Sequence, residues 1–401
     1  MINNTFKDQD NCYIVLAAMK KFCKNNNLNV PQNRSEAINM INKFSNESSD
    51  NMYIANDWIN TVLKEGMKHI YLRKVTLPNS QVRNEVFWKK FINNEFEGRD
   101  MRNVNEPNYS ETLEIQNIKL NRSDKGIDTV SIYISLFIYE YKMVKLIKSI
   151  YPIFVDIDIN NNLIIIRLKS KVNIYNIKSN SGELNERLGD KINLDLMAEK
   201  ILKMLKSKIG FEEESVRESK HNFYKSYYKF LKYLTQTPSL IKDKIKLEEK
   251  IIKSFIQKVF SDIDVSTIIY EEMAIDDLNV FLEKFISISI EDKDFFIKGK
   301  DGYPIKLIAT DSEDTTISET AGDFKSLQTK PSFYDHKKIL DRQKLCDGMS
   351  LAYNRIDTLY FGSKPYQVRI QYKKGFGIII FKEYVEEGDI QNVLSRVIEN
   401  L

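Results

Sequence analysis

Between residues 127 and 260 the hydrophobic period of this chain shifts from two to about 3.6. That shift decides which segments can pair edge to edge and which must pack by one face. Val130-Ser-Ile-Tyr-Ile-Ser-Leu-Phe-Ile alternates, which is a strand pattern. Ile153 to Ile159 alternates as well, Asn160-Asn161-Asn162 supplies a turn, and Leu163 to Leu168 returns, which predicts a β-hairpin. From Asn193 to about Lys208 the apolar residues Leu194, Met197, Ile201, Leu205 and Ile209 fall on one helical face. Two further helices are expected over Glu214–Thr235 and Ile241–Phe260, divided by Thr237-Pro238-Ser239.

The flanking regions are patterned differently. Residues 10–70 read as helical: Val15, Leu16, Met19, Phe22 and Cys23 recur at three- and four-residue spacing, as do Ile38, Ile41 and Phe44, and then Ile54, Trp58, Ile59, Val62 and Leu63. His69 to Leu72 follows as a short extended piece. Residues 76–126 are polar and irregular apart from a helical patch near Glu85–Phe91. Beyond 260, Ile286-Ser-Ile-Ser-Ile looks like a strand, Phe295–Ala309 like a hairpin around Lys300-Asp301-Gly302, and residues 310–335 like a long acidic loop. The chain closes on Tyr366–Lys373, a Lys374-Gly375 turn, Gly377–Phe381 and a helix over Asp389–Ile398. The expected class is therefore α+β. Its predicted parts are a helical domain over 1–75, an irregular connector over 76–126, a hairpin and long helices over 127–260, and an α+β domain over 261–401 ending in the hairpin and helix.

With 42% hydrophobic and 29% charged residues, the chain can bury real cores and is not globally disordered. Cys12, Cys23 and Cys346 are odd in number and in no CxxC spacing, so no disulfide framework is expected and a reducing cytoplasm is. No signal peptide is expected, and Val130 to Tyr139, the most apolar stretch, is too short to span a bilayer. Over-use of Asn, Lys and Ile points to an AT-rich, bacterial or mobile-element genome.

Charge is the stronger guide to function. Glu199 to Phe260 holds fifteen basic against eight acidic residues, a local +7, whereas Ser261 to Lys330 holds seven against sixteen, a local −9. A basic, aromatic-rich stretch beside an acidic one suits a surface that meets a polyanion, or two surfaces that meet each other. In the basic stretch that opens at Lys220, the residues Lys225, Lys229 and Lys232 form a cationic row four and three residues apart; Lys220 is a further candidate contact, and Tyr224 and Tyr228 stand beside the row to stack on bases or donate to phosphate oxygens. At the C-terminal hairpin, Arg369 and Lys373 share a strand face with Gln367 and Gln371, and Lys374 sits at the turn.

The N-terminal helices supply a third basic candidate. Val15 to Phe22 is followed by Asn26-Asn27-Leu28, an extension from Asn29 to Arg34, and a helix with Glu36, Ile38, Ile41 and Phe44. Residues 10–46 resemble the SAP-like helix–extension–helix motif of DNA-binding proteins, with Asn replacing the glycine usual after the first helix. The resemblance implies that Lys20, Lys21, Asn33, Arg34 and Ser35 approach phosphates. Residues 1–75, with their own apolar stripes and Trp58, are expected to fold alone.

Catalytic signatures are sparse. Asp156 and Asp158 share a strand face near Arg167 and Lys169, but the Glu-x-Lys of a Mg²⁺-dependent nuclease is missing. His69, His221 and His336 are too dispersed for zinc or a triad, and no phosphate-binding glycine loop occurs. No cofactor or metal is expected. The sequence thus predicts a cytoplasmic, non-catalytic binder of nucleic acid, double-stranded DNA first, in phage defence or a mobile element. A protein partner or second copy remains open, and so do two other classes: a divergent metal-dependent nuclease and an assembly subunit.

Overall fold

The computed structural model describes residues 2–8, 13–78, 82–124, 126–142, 145–179, 186–264, 268–310, 316–322 and 324–401. In chain order its helices are α1 (Asn4–Lys7), α2 (Leu16–Asn25), α3 (Arg34–Glu47), α4 (Ser49–Lys64), α5 (Glu85–Glu95), α6 (Leu194–Ile209), α7 (Val216–Leu234), α8 (Ser239–Leu247), α9 (Glu249–Asp262), α10 (Ile268–Ser289), α11 (Pro331–Gln343), α12 (Thr358–Phe361) and α13 (Glu387–Ile398). The strands are β1 (Lys68–Thr76), β2 (Glu114–Ser123), β3 (Gly126–Lys142), β4 (Lys145–Asp158), β5 (Leu163–Lys169), β6 (Ile174–Ser179), β7 (Glu186–Lys191), β8 (Glu212–Glu213), β9 (Gly302–Thr310), β10 (Thr316–Thr320), β11 (Gly348–Tyr353), β12 (Tyr366–Lys373) and β13 (Phe376–Phe381). The fold is mixed α+β, and every described strand register is antiparallel.

Two compact units divide the chain. The first comprises Met1–Lys220, Arg355–Lys364 and Lys373–Leu394, and the second His221–Asn354, Pro365–Tyr372 and Ser395–Leu401. The expected divisions at 75, 126 and 260 do not coincide with these units.

In the first unit the strand order is β13-β1-β5-β4-β3-β6-β7, with β2 on β3 and β8 on β1. The predicted hairpin forms: β4 pairs with β5 from Phe154↔Arg167 to Asp158↔Leu163, and Asn162 takes the positive φ of 51° that lets the chain reverse. Every residue of β5 is buried, because both faces of the sheet are covered. On one face Ile132, Ile134, Ile153, Val155, Ile164 and Ile166 meet α6 through Met197, Ile201 and Leu205. Asn193 caps α6 by accepting from the Asp195 and Leu196 amides, and Gly210 ends it at φ 81°. The opposite face, with Tyr133, Ile150 and Phe154, is covered by Met19, Phe22, Ile41, Ile59 and Leu63 of α2–α4. The N-terminal helices are thus one layer of this unit. The expected extended piece His69–Leu72 is part of β1, flanked by β5 and β13.

In the second unit β10, β9, β11 and β12 form a sheet in that order. All six residues of β11 are buried. Helix α7 buries Phe223, Tyr227, Phe230 and Leu234, and α11 buries Phe333, Tyr334 and Leu340.

Several expectations fail here. The strand expected over Ile286–Ile290 is instead the end of the 22-residue helix α10, which runs to Ser289, since five alternating residues cannot outvote a helical context that long. The hairpin expected over 295–309 has only its second arm as strand; the first is a 3₁₀ turn over Lys293–Phe296. The loop expected over 310–335 contains β10 and the start of α11, whose Pro331 at N1 presets helical φ, although 311–315 and 323 lie outside the described residues. The connector 76–126 contains β2 as well as a helix, because the polar outward residues of an edge strand hide its alternation. The C-terminal strand–turn–strand and helix form as expected, with Lys374 and Gly375 both at positive φ.

Candidate nucleic-acid interface

Helix α7 sorts its side chains by face. Phe223, Tyr227, Phe230 and Leu234 recur at three- and four-residue spacing and turn inward, and Ser226, buried on the same side, donates to the Val397 carbonyl at 2.8 Å. Lys225, Lys229 and Lys232 fall on the opposite side and are exposed. Their Cα atoms are spaced by about 6 and 4.5 Å along the axis at 1.5 Å per residue. None of the three is in an ion pair with a described residue. Lys220 on the same helix is also exposed. The lysine row continues in sequence through Lys242, Lys244 and Lys246 of α8, which are exposed too.

The tyrosines expected beside this row do not stand with it. Tyr228 is buried and donates its hydroxyl to Asp341 Oδ1 at 2.7 Å, because α11 covers the flank on which it lies. The Lys232 ammonium sits 5.9 Å from the centre of its ring. Tyr224 is half-buried, edge-on to Tyr372 at 6.2 Å, and burial pushes its phenol up to about 12. Tyr228 is too buried to stack on a base, which corrects that part of the expectation, and Tyr224 keeps only part of its ring at the surface. What remains exposed is the lysine row and, beside Lys232, the ring of Tyr233, which is 39% exposed and lies against the Arg396 guanidinium at 4.4 Å.

The N-terminal cations are engaged internally. Arg34 donates to the carbonyls of Lys7 at 2.7 Å, Ile14 at 2.6 Å, Phe6 at 3.0 Å and Asp8 at 3.4 Å. Lys21 bridges Asp357 at 2.8 Å and Glu386 at 2.6 Å; its partial burial disfavours the charge, but the two carboxylates prevail and raise its pKa. Lys20 is half-buried, and Asn33 caps α3 by accepting from the Glu36 amide. At the C-terminal strands Arg369 is exposed, whereas Lys373 pairs with Asp195 at 2.7 Å and Lys374 with Glu199 at 3.5 Å.

Asp156 and Asp158 have structural partners. Asp156 accepts from Ser131 at 2.7 Å and faces Arg167 at 3.5 Å, and Arg167 also pairs with Glu387 at 2.5 Å. Asp158 accepts from the backbone and side-chain nitrogens of Asn161, at 3.0 and 2.7 Å, and so closes the β4–β5 turn. Among the described residues no three His, Cys, Asp or Glu side chains come together as a metal site. Cys23 and Cys346 are free and buried; Cys12 lies outside the described residues.

Two features of the first unit escaped the sequence reading. One is a cleft of about 230 Å³ whose rim holds Lys64, Arg102 and Lys119 and whose floor holds the stacked Tyr133 and Phe154 rings. Five separate segments contribute to it, so no spacing announces it. The other is a charged network under the helical layer. Lys68 and Lys169 are buried on adjacent strands, the Lys68 ammonium donating to the Leu63 carbonyl at 2.6 Å. Burial and the like charges of Lys169 and Arg167 hold Lys68 well below an ordinary lysine. Nearby, Glu65 accepts from the Tyr384 hydroxyl at 2.7 Å and the Glu387 amide at 3.2 Å, yet burial still lifts its pKa to about 7. Alternation that carries Arg167 and Lys169 within an otherwise apolar strand was the available signal.

The chain matches no family model, no curated protein and no solved structure. No described helix is long and apolar enough to cross a membrane.

Proposed function

We propose that this protein binds a nucleic-acid backbone, that of duplex DNA first, without catalysing a reaction on it. The observation that carries the reading is the row Lys225, Lys229 and Lys232, exposed and without ion-pair partners among the described residues on a helix whose other face is fixed by buried aromatics. A rigid row of ammonium groups releases counterions from successive phosphates and supplies affinity without reading sequence. With Tyr228 buried and Tyr224 half-buried against Tyr372, the row itself offers phosphate contacts rather than base stacking, which favours duplex over single strands. We place the protein in a cytoplasm, a setting that suits the free thiols of Cys23 and Cys346.

Gel-shift titrations with duplex DNA, single-stranded DNA and RNA test the proposal. Replacing Lys225, Lys229 and Lys232 by Glu is expected to weaken duplex binding uniformly across sequences. The slope of log K against log salt should shrink by about 0.9 for each phosphate that is no longer neutralised. Wild-type affinity in the triple variant would reject the row as the contact surface. DNA cleavage that appears with Mg²⁺ and vanishes with EDTA would replace the reading with a nuclease.

A further inference from the structure

The cleft in the first unit owes its chemistry to strand register. Across β2, β3 and β4 the residues Lys119, Ser131 and Asp156 stand opposite one another, and Asn117, Tyr133 and Phe154 form the next row on the same face. The α2–α4 layer packs on Tyr133 and Phe154. The polar row beside them lines the cleft, together with α4 and the segment that leads into β2.

Three cations border this row without a counter-charge. Lys64 is the last residue of α4, Arg102 precedes β2, and Lys119 lies on β2; none is in an ion pair with a described residue. The Lys64 ammonium stands 5.7 Å from the centre of the Phe154 ring, which places it over β4. Neighbouring strands are about 4.8 Å apart, so β4 and β2 put Lys64 and Lys119 on lines about 10 Å apart. Of the two acids in the lining, Asp156 is taken by Ser131 and Arg167. Asp57, two turns before Lys64 on α4, is exposed and has no ion-pair partner among the described residues. Three cations against one free carboxylate leave a local balance of +2.

That balance selects the class of ligand. A carboxylate answers one cation, whereas a phosphate monoester carries about −1.5 to −2 at neutral pH and offers three oxygens to several donors. A concave wall of one sign focuses its potential inward and favours such an anion further. Asp57 repels a phosphate but accepts from sugar hydroxyls, the part acidic side chains play beside ribose. A volume of about 230 Å³ lies below the ~300–1,000 Å³ of drug-sized sites, so a compact ester fits and a long one does not. We infer that the cleft binds a small sugar phosphate, its phosphate held by Lys64, Arg102 and Lys119 and its hydroxyls by Asp57. The cleft belongs to the first unit and Lys225, Lys229 and Lys232 to the second, so the inference does not rest on the DNA reading.

Isothermal titration calorimetry on the full chain tests it with ribose 5-phosphate, adenosine 5′-monophosphate, inorganic phosphate and ribose. One or both esters should bind one to one, inorganic phosphate at least about tenfold more weakly, and ribose not measurably. Arg102→Glu with Lys119→Glu should weaken ester binding at least about tenfold and leave the melting temperature unchanged, since both side chains are exposed. Asp57→Ala should remove the preference for ester over inorganic phosphate, while phosphate itself binds no worse. The variant with Lys225, Lys229 and Lys232 replaced by Glu should bind esters as wild type does whatever its DNA affinity, so the two readings fail separately. In that variant, competition by an oligonucleotide with a 5′-phosphate but not by its 5′-hydroxyl form would assign the ester to a strand end, with the same chemistry. No binding of either ester at millimolar concentration, wild-type ester affinity in the double charge reversal, or an ester preference that survives Asp57→Ala overturns the inference.

Discussion

Replacing Glu65 by Gln should make the first unit more stable at pH 8 and leave it nearly unchanged at pH 5. The carboxyl is buried, and its pKa stands at about 7 against an ordinary 4.5 even though Tyr384 and Glu387 both donate to it. A raised acid pKa means that the folded state holds the proton more tightly than the unfolded chain does. The associated stability is therefore complete below about pH 4.5 and is lost as pH rises through 7. At 1.36 kcal/mol per unit, the difference amounts to about 3 kcal/mol by pH 8. Gln imitates the protonated carboxyl in shape and polarity and does not titrate, so the gap between variant and wild type should open across that window. Both tryptophans, Trp58 and Trp88, lie in the first unit, so urea unfolding followed by their fluorescence reports on it selectively. A stability difference that stays constant from pH 5 to pH 8 would show that Glu65 is charged throughout, and would refute the assignment of burial as the dominant effect.

Three further outcomes follow from the same contacts. Arg34→Ala should cost about 3 kcal/mol and expose residues 2–8 to proteolysis, because four carbonyls lose a charged donor; duplex affinity should be unchanged, and a selective loss of affinity would favour the SAP-like role instead. Asp156→Ala should destabilise by about 1–3 kcal/mol in urea titrations, since it leaves Arg167 with Glu387 alone, and any DNA-binding activity should persist in the folded variant. An isolated fragment of residues 1–75 should show no cooperative thermal transition by circular dichroism, because the stripes of α2–α4 close on Tyr133, Ile150 and Phe154 and β1 has lost both neighbours. A sharp transition would mean that the helical layer is self-sufficient.

The elements that were legible in the sequence are those whose burial is one-sided or whose turns are chemically marked. Asn160 to Asn162 announced the β4–β5 hairpin, Asn193 and Gly210 bracketed α6, and Pro238 separated α7 from α8. Helix α10 was misread at its end because its apolar residues do not face the core, so the usual link between periodicity and burial fails there. For the site, spacing alone placed Lys225, Lys229 and Lys232 on the outer face of α7. It misjudged Tyr224 and Tyr228, which lie between the buried and exposed faces and were decided by α11 and β12, elements far away in sequence. Arg34, Lys21, Lys373 and Lys374 looked available because their partners, among them Glu386 and Asp195, are distant along the chain.

The position of β1 has a consequence for how the chain is made. His69 is hydrogen-bonded in register with Leu168 on one side and Ile380 on the other. The second of these partners is synthesised roughly 300 residues later, about 15–60 s at ribosomal speeds. During that interval β1 presents an open edge bearing Ile70, Tyr71 and Leu72, a template for wrong pairing. Truncation anywhere before Phe376 therefore does more than remove a tail: it strands a central strand as an edge. Premature termination products of this gene should partition into aggregates even when they contain nearly all of the chain, whereas a chain ending at residue 381 or later can close its sheet.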